Sequence, residues 1–185
     1  MQGFVIIGHS TGCQDALRYS ERYRSDVDAA SLLGVVLQAP VSDREWLATQ
    51  PDTAARLSKA ADMIQTGQGE ETCFRAHDVD GAAVTARRWQ ALASEGGDDD
   101  YFSSDLNDDQ LKARLFGVSG LPTLLLLSGA DEYVPPDVDY KALGRRLQAA
   151  VGASARLSVV EGGLHALGGH EQQAVDEITA FLRSL

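Results

Sequence analysis

The chain has 185 residues, of which 44% are apolar and 23% charged, as in globular proteins that bury a core. Its formal net charge of −11 argues against nucleic acid and anionic membrane surfaces as partners. No apolar run is long enough to span a bilayer. The only cysteines, Cys13 and Cys73, form no disulfide framework, which predicts a reducing, cytoplasmic compartment.

The first predicted strand, at residues 4–7, leads directly into a Gly-x-Ser-x-Gly motif around Ser10, and a helix is predicted over about 13–23. This context is typical of a nucleophile elbow, a strained turn between strand and helix that exposes a serine hydroxyl. We expect side chains at Gly8 and Gly12 to collide as the helix doubles back over the strand. An ordinary tight turn would show the same motif, so the elbow needs support from elsewhere in the chain.

A second apolar strand is predicted at 33–40, and Ser42-x-x-Glu45 predicts a capping box that opens a helix. Residues 43–118 are polar and carry no strong strand signal. Helices are predicted there at 54–64 and 82–93, with connections at 70–73 and 96–109. We therefore expect a helical cap, 43–118, inserted into one domain of residues 1–185.

Strand character returns at 122–129, followed by a predicted helix at 138–150 and an alternating edge strand at 156–161. The last helix is predicted from about His170, with Ala174, Ile178, Phe181, Leu182 and Leu185 on one face. The order β-α-β-(cap)-β-α-β-α predicts an α/β fold with a parallel sheet of about four strands and flanking helices. Ligand sites in such sheets lie outside the carboxyl ends of the strands.

Two of these strand ends carry further candidate catalytic residues, Asp131 after the third strand and His165 after the fourth. Ser10, Asp131 and His165 follow the chain order Ser…Asp…His of the α/β-hydrolase triad. A serine hydroxyl is a weak nucleophile, and it needs a base that a carboxylate orients. We predict Ser10 as the nucleophile, His165 as general base and then acid, and Asp131 as the group that fixes the imidazole.

Other residues compete for two of these roles. Asp43 could supply the carboxylate, although its place beside the capping box favours a structural role. Glu132 is expected to face away from the site. His9 flanks the nucleophile, and His170 lies near the start of the last helix. Taken singly, Asp131 is equally typical of a turn and His165 of a solvated loop.

No nucleotide, flavin or nicotinamide signature occurs, and we expect neither a cofactor nor a metal. His77 has no second histidine at ligand spacing. The acidic cluster at 98–109 is expected to be a solvated loop.

Three blocks resemble the α/β-hydrolase superfamily: Gly8–Gly12, Ser128–Pro135 and Gly162–His165. More narrowly, the chain is similar to a little-characterised eukaryotic branch that includes fungal esterases of hydroxamate siderophores such as fusarinine. The blocks that carry this likeness are His9–Asp15, Leu37–Glu45 and Asp100–Leu106. The resemblance implies a serine hydrolase of small-molecule carboxylic esters, which works through an acyl-enzyme and uses the N–H of Thr11 in the oxyanion hole.

Complete members of that superfamily have several strands and a helix before the elbow strand. We therefore expect this chain to be a C-terminal portion of a hydrolase, without the loop that supplies the second oxyanion donor. Loss of one such donor costs on the order of 10²–10³ in rate. The strand at 4–7 would then present an unpaired apolar edge, through which copies could associate as a homo-oligomer. The alternative to an enzyme is a catalytically inert fragment or binding module.

Overall fold

The computed structural model describes residues 3–24, 31–76 and 81–185. The strands and helices, in chain order, are β1 (Gly3–His9), α1 (Gly12–Arg24), β2 (Ser31–Gln38), α2 (Asp43–Ala48), α3 (Thr53–Gln65), β3 (Thr72–Arg75), β4 (Ala83–Thr85), α4 (Ala86–Ala93), α5 (Asp108–Arg114), a 3-10 helix (Phe116–Val118), β5 (Thr123–Ser128), α6 (Tyr140–Val151), β6 (Ala155–Val160) and α7 (Glu171–Leu182). They form two compact units, Met1–Val41 with Ser104–Leu185, and Ser42–Ser103.

The first unit is built on a parallel sheet with the strand order β1-β2-β5-β6. All six residues of β5 are buried, because a central parallel strand with both faces covered places apolar side chains on each face. The prediction of an α/β fold with a four-stranded parallel sheet is confirmed. Since the strands run in one direction, their carboxyl ends all lie at the same edge of the sheet.

The two outer strands of this sheet differ in character. Strand β6 is an edge strand with half-buried residues at its centre, as its alternating sequence predicts. Among the strands that the structure describes, β1 pairs with β2 alone. Val5 packs against the core, whereas the side chain of Ile7 is 53% exposed. An apolar groove of about 540 Å³ runs over β1 and the neighbouring face of α1.

Helix α7 covers one face of the sheet through the apolar stripe that its sequence predicts. Phe181 is buried against Val36, Leu126 and Val160, with Ala174 and Ile178 partly buried beside it. Leu182 and Leu185 were predicted on the same stripe but are 42% and 45% exposed. Leu182 is one residue beyond Phe181 and therefore lies about 100° round the helix, at the margin of the buried stripe.

The second unit contains α2, α3, α4 and an antiparallel pair of short strands, β3 and β4. Its own apolar cluster comprises Ala60, Cys73, Ala86, Trp89 and Ala93. The sequence predicts no strand here, and this is wrong, because strands of four and three residues are too short for a periodic signal. The Ser42 hydroxyl accepts a hydrogen bond from the Glu45 N–H at 3.0 Å, which confirms the predicted cap of α2. This unit ends at Ser103, whereas the predicted insertion runs to residue 118.

Part of the predicted solvated acidic loop is buried in this second unit. Asp100 is 2% exposed and accepts hydrogen bonds from the Arg44 Nε at 2.8 Å and the Gly96 N–H at 3.1 Å. The Ser103 hydroxyl is also bonded to this carboxylate and lies 2.6 Å from the Ser42 hydroxyl. The expectation of a solvated loop is therefore wrong for Asp100, since a buried carboxylate is stable where a cation and several donors satisfy it.

None of the helices that the structure describes has both the length and the apolar character that a membrane crossing requires.

Candidate active site

Ser10 lies in the tight turn between β1 and α1, at the carboxyl edge of the parallel sheet. Its φ of 54° is in the left-handed region, which a residue with a side chain adopts only under local constraint. The constraint includes Gly8, where a Cβ would lie 2.3 Å from the Gly12 carbonyl oxygen. Backbone atoms cannot yield as a side chain can, so the turn requires glycine at position 8.

Gly12 does not have the role that the sequence predicts for it. Apart from its chain neighbours and the backbone of its own helix, a Cβ at Gly12 would have no atom within 4 Å, so no collision forces glycine at this position. The reason is directional: Gly8 points at the backbone of the incoming helix, whereas Gly12 is among the residues that line the apolar groove over β1 and α1. Half of the predicted steric requirement of the motif is therefore wrong.

His165 and Asp131 form a direct pair. The His165 Nδ1 lies 2.9 Å and 3.0 Å from the two carboxylate oxygens of Asp131. The two side chains are 10% and 0% exposed. An ionised carboxylate only accepts hydrogen bonds, so Nδ1 carries the proton in this pair and the lone pair of Nε2 is left available as a base.

Adjacent strands bring these two residues together. Ser128, the last residue of β5, is in register with Val160, the last residue of β6, so the loops that follow start side by side. The Ala130 N–H donates to the Gly163 carbonyl oxygen at 2.9 Å and joins the two loops. Positions 131 and 165 are distant in sequence but leave the sheet at neighbouring points.

The His165 ring also lies against the elbow. Its centroid is 4.9 Å from that of His9, the residue before Ser10, and 4.6 Å from that of Tyr133. Within the described part of the chain, no hydrogen bond joins the Ser10 hydroxyl to the His165 ring. The structure thus pairs Asp131 with His165 and places His165 beside the turn that carries Ser10. Catalytic hydrogen bonds are often long or poorly aligned without substrate and tighten when it binds.

Glu132 does not face away from His165, and this prediction is wrong. The Glu132 Oε2 accepts a hydrogen bond from the main-chain N–H of His165 at 2.7 Å. That hydrogen bond is the largest cause that lowers the pKa of the Glu132 carboxyl below its ordinary value. Glu132 thereby holds the main chain of His165, while Asp131 holds its ring. A neighbouring acidic pair after a strand was the available signal, but the direction of the second side chain could not be read from it.

The remaining candidates belong to other elements of the chain. Asp43 is the first residue of α2, and His170 is the residue before α7, where its Nδ1 lies 3.4 Å from the Gly168 carbonyl oxygen. His77 is outside the described residues. Over the described ranges, no group of three or more His, Cys, Asp and Glu residues could hold a metal ion. Among the described residues, no acceptor is found for the main-chain N–H of Thr11, the predicted oxyanion donor.

Cys13 and Tyr140 are two further buried groups of the first unit. Cys13 is fully buried, and its Sγ donates to the Gly8 and Gln38 carbonyl oxygens. These contacts indicate that Cys13 packs α1 against the strands. The Tyr140 hydroxyl is buried and has no hydrogen-bond partner among the described residues. Burial raises the pKa of Tyr140 well above its ordinary value, and the negative charge of Asp131 raises it further.

The chain matches one family profile over almost its whole length: residues 1–183 match the family described as "Protein of unknown function (DUF1749)". A relative from Aspergillus fumigatus, named Fusarinine C esterase sidJ, is 32% identical over 75% of this chain and 51% of its own length. A relative from Emericella nidulans, named Esterase AN6793, is 29% identical over 91% of this chain and 60% of its own length. The chain therefore spans between half and two thirds of the length of these relatives.

Solved structures resemble the chain in fold. The siderophore hydrolase EstB from Aspergillus fumigatus superposes with a TM-score of 0.79 and 24% identity, over 98% of this chain and 67% of that one. Est1E from Butyrivibrio proteoclasticus superposes with a TM-score of 0.56 and 12% identity, over 100% of this chain and 61% of that one. An α/β-hydrolase fold protein of unknown function reaches a TM-score of 0.58 at 19% identity, over 100% of this chain and 64% of that one. The predicted α/β-hydrolase fold is confirmed.

Proposed function

The chain belongs to the DUF1749 family, and from this premise we propose that it is a serine-dependent hydrolase of carboxylic esters that works through an acyl-enzyme. The observation that carries the proposal is the buried pair of Asp131 and His165 beside a strained elbow that presents Ser10. The names of the two fungal relatives as esterases support the same reaction class.

In the proposed mechanism, Asp131 accepts the Nδ1 proton of His165 in a hydrogen bond and keeps Nε2 unprotonated. Nε2 takes the Ser10 hydroxyl proton as the oxygen attacks the ester carbonyl carbon. The N–H of Thr11 donates to the carbonyl oxygen as it becomes negative. The intermediate collapses when the C–O bond to the alcohol breaks and His165 returns its proton to the leaving oxygen.

The second half of the reaction repeats these steps with water. His165 takes a proton from a water molecule, whose oxygen attacks the acyl carbon on Ser10. The bond to Ser10 breaks, its oxygen recovers the proton from His165, and the carboxylic acid leaves. The chain's own residues supply each proton transfer in this mechanism, so it needs neither a metal nor a cofactor.

For the substrate we propose a hydroxamate siderophore ester of the fusarinine type. The support is the 32% identity to the relative named Fusarinine C esterase sidJ. We further propose that the protein acts in the cytoplasm on a small molecule, with neither nucleic acid nor membrane as partner, and that residues 43–118 are a helical insertion within the hydrolase domain.

The test is labelling of the purified chain by a fluorophosphonate, which reacts with an activated serine. We expect one label per chain on Ser10, lost in Ser10→Ala. The matched control is Ser20→Ala, because Ser20 is a buried serine on α1, the helix that follows Ser10, and its hydroxyl donates to the Ala16 carbonyl oxygen. A folded wild-type chain that takes no label, or a label that persists in Ser10→Ala, would refute the proposal.

A second candidate function is that of a non-catalytic module that pairs with a second copy of the chain through β1. The edge of β1 that has no partner among the described strands and the exposed Ile7 favour it, since such an edge is a template for strand pairing. Ile7→Lys is the appropriate probe because Val5 packs against the core. Val175→Lys is its matched control, since Val175 is also 53% exposed and lies on α7. A dimer in sedimentation that only Ile7→Lys disrupts would support this candidate, and a wild-type monomer would exclude it.

A further inference from the structure

Gln38 is a buried polar residue that the proposed mechanism leaves without a role. It is the last residue of β2 and is 9% exposed. Its Nε2 donates to the main-chain carbonyl oxygen of His165 and to the Ser128 hydroxyl oxygen, both at 3.2 Å. The Ser128 hydroxyl in turn donates to the same His165 carbonyl oxygen at 3.3 Å.

The chemistry of the groups fixes the orientation of this amide. A carbonyl oxygen can only accept, so the Gln38 amide must turn its NH₂ group and not its oxygen toward His165. The two amide hydrogens then serve two acceptors, and the His165 carbonyl receives two donors. Ser128 is fully buried, and His165 is 8% exposed. A fully hydrogen-bonded network that is buried from water resists movement, because breaking any of these hydrogen bonds costs the free energy of leaving a buried acceptor unpaired.

The main chain of the same residue is bonded to the elbow. The Gln38 carbonyl oxygen accepts from the main-chain N–H of Ser10 at 3.1 Å and from the Cys13 Sγ at 3.2 Å. Strand pairing sets the same junction, since His9 and Gln38 are in register between β1 and β2. Residue 38 therefore contacts the turn of the candidate nucleophile with its backbone and the loop of the candidate base with its side chain.

The other polar contacts of His165 do not make this connection. Asp131 holds its ring and Glu132 its N–H, and both residues belong to the loop after β5. They tie the histidine to its own carboxylate but leave its position relative to Ser10 open. No hydrogen bond joins the Ser10 hydroxyl to His165 within the described part of the chain, so the separation of the two depends on the surrounding framework.

We propose that Gln38 is a positioning residue that sets His165 at working distance from Ser10. The inference rests on the proposed serine hydrolase function and adds a residue to it. Among the described residues, Gln38 makes no hydrogen bond to the Ser10 hydroxyl or to the His165 ring. Its contribution is that the elbow and the histidine loop move as one body, which is needed because a misplacement of about 1 Å can cost about 10²-fold in rate.

The test substitutes Gln38→Met, which keeps the length of the side chain and removes both donations. We expect fluorophosphonate labelling of Ser10 to slow by at least about tenfold. The matched control is Thr123→Val, because Thr123 is fully buried at the opposite end of β5 and its hydroxyl donates to the Leu121 carbonyl oxygen at 3.0 Å. This variant also loses a hydrogen bond made by a buried residue, but it should be labelled at the wild-type rate. If the wild type is labelled, an equal labelling rate in Gln38→Met would overturn the inference.

A second readout is independent of catalysis. The chain has four histidines, so the ring signals of His165 can be assigned in an NMR spectrum of histidine-labelled protein by comparison with His165→Gln. We expect Gln38→Met to shift the His165 ring signals and to speed the exchange of its Nδ1 proton with water, and Thr123→Val to do neither. A purely structural glutamine would lower the unfolding midpoint in both variants and leave these signals unchanged, which would refute the positioning role.

The two readouts separate the failure of this inference from that of the proposed function. If the wild-type chain takes no label but Gln38→Met shifts the His165 signals, the hydrolase proposal fails and the positioning of His165 stands. If the wild type is labelled and Gln38→Met behaves as wild type in both measurements, the hydrolase proposal stands and this inference fails. Should Gln38→Met not fold, Ser128→Ala replaces it, since it removes one of the two donors to the His165 carbonyl oxygen. Unchanged labelling and unchanged signals in that variant would equally overturn the proposal.

Discussion

The geometry of the elbow predicts different effects of substitution at Gly8 and Gly12, which the Gly-x-Ser-x-Gly motif treats as equivalent. A methyl group added at Gly8 would lie 2.3 Å, 2.6 Å and 2.8 Å from the Gly12 O, the Gly12 C and the Cys13 N. These are backbone atoms, so the turn itself would have to open by about 1 Å to reach ordinary van der Waals contact. A methyl group added at Gly12 would meet nothing within 4 Å.

We therefore expect Gly8→Ala to lower the free energy of unfolding by about 3 kcal/mol, the upper end of the usual cost of overpacking, since no side chain can move aside. Gly12→Ala should be neutral or raise it by up to about 1 kcal/mol, because alanine is the better helix former at the start of α1. In Gly8→Ala, Ser10 would also be displaced, and labelling by the fluorophosphonate should slow by about 10²-fold. Gly12→Ala should be labelled at close to the wild-type rate.

The assay is urea unfolding followed by far-UV circular dichroism. Tryptophan fluorescence is unsuitable, because Trp46 and Trp89 both lie in the unit that spans Ser42–Ser103 and would report on that unit. A loss of 3 kcal/mol corresponds to a midpoint shift of about 1–2 M urea. The reasoning is refuted if Gly8→Ala stays within about 0.5 kcal/mol of wild type, or if Gly12→Ala is destabilised as much as Gly8→Ala.

Three further outcomes follow from the site. Asp131→Asn keeps the shape of the side chain but removes the charge that holds the Nδ1 proton. Labelling of Ser10 should therefore slow by about 10²–10⁴-fold, with little change in the circular dichroism spectrum. A wild-type labelling rate would exclude the triad. Tyr140→Phe removes a buried hydroxyl that has no partner among the described residues, so the free energy of unfolding should change by less than about 1 kcal/mol or rise, and a larger loss would show that the hydroxyl is bonded. The folded pKa of Glu132 is lowered, so its stabilising contribution is complete above about pH 5 and is lost as the pH falls through that lowered pKa. The stability difference between wild type and Glu132→Gln should accordingly shrink on acidification in urea titrations at several pH values, and a difference that grows would contradict the contact with His165.

The parts of this fold that could be predicted from sequence are those in which one short segment carries its own physical signal. Strand β5 is an uninterrupted apolar run, and the elbow joins such a run to a helix within five residues. Strands β3 and β4 have four and three residues and escaped prediction, because such lengths hold at most two periods of alternation. The burial of Asp100 escaped prediction for another reason: it depends on Arg44, which is 56 residues away in sequence.

In the candidate site, too, some residues could be predicted from local sequence and others depend on contacts between distant segments. Chain order and strand ends were enough to propose Ser10, Asp131 and His165 together. The direction of the Glu132 side chain and the contact of Gln38 with His165 depend on how the ends of β2, β5 and β6 meet, which no local pattern contains. A glutamine at the end of a strand belongs to no catalytic motif, so the polar residue that joins two parts of the site carried no signal of its own.

The separate apolar cluster of the second unit has an evolutionary consequence. The cluster around Ala60, Cys73 and Trp89 draws its members from residues 42–103, as do the side chains that pack against it. Substitutions there are compensated among near neighbours in sequence and leave the interior of the parallel sheet untouched. Across related proteins, this insertion is therefore expected to drift fastest and to accept changes of length, while the ends of β2, β5 and β6 keep their residues.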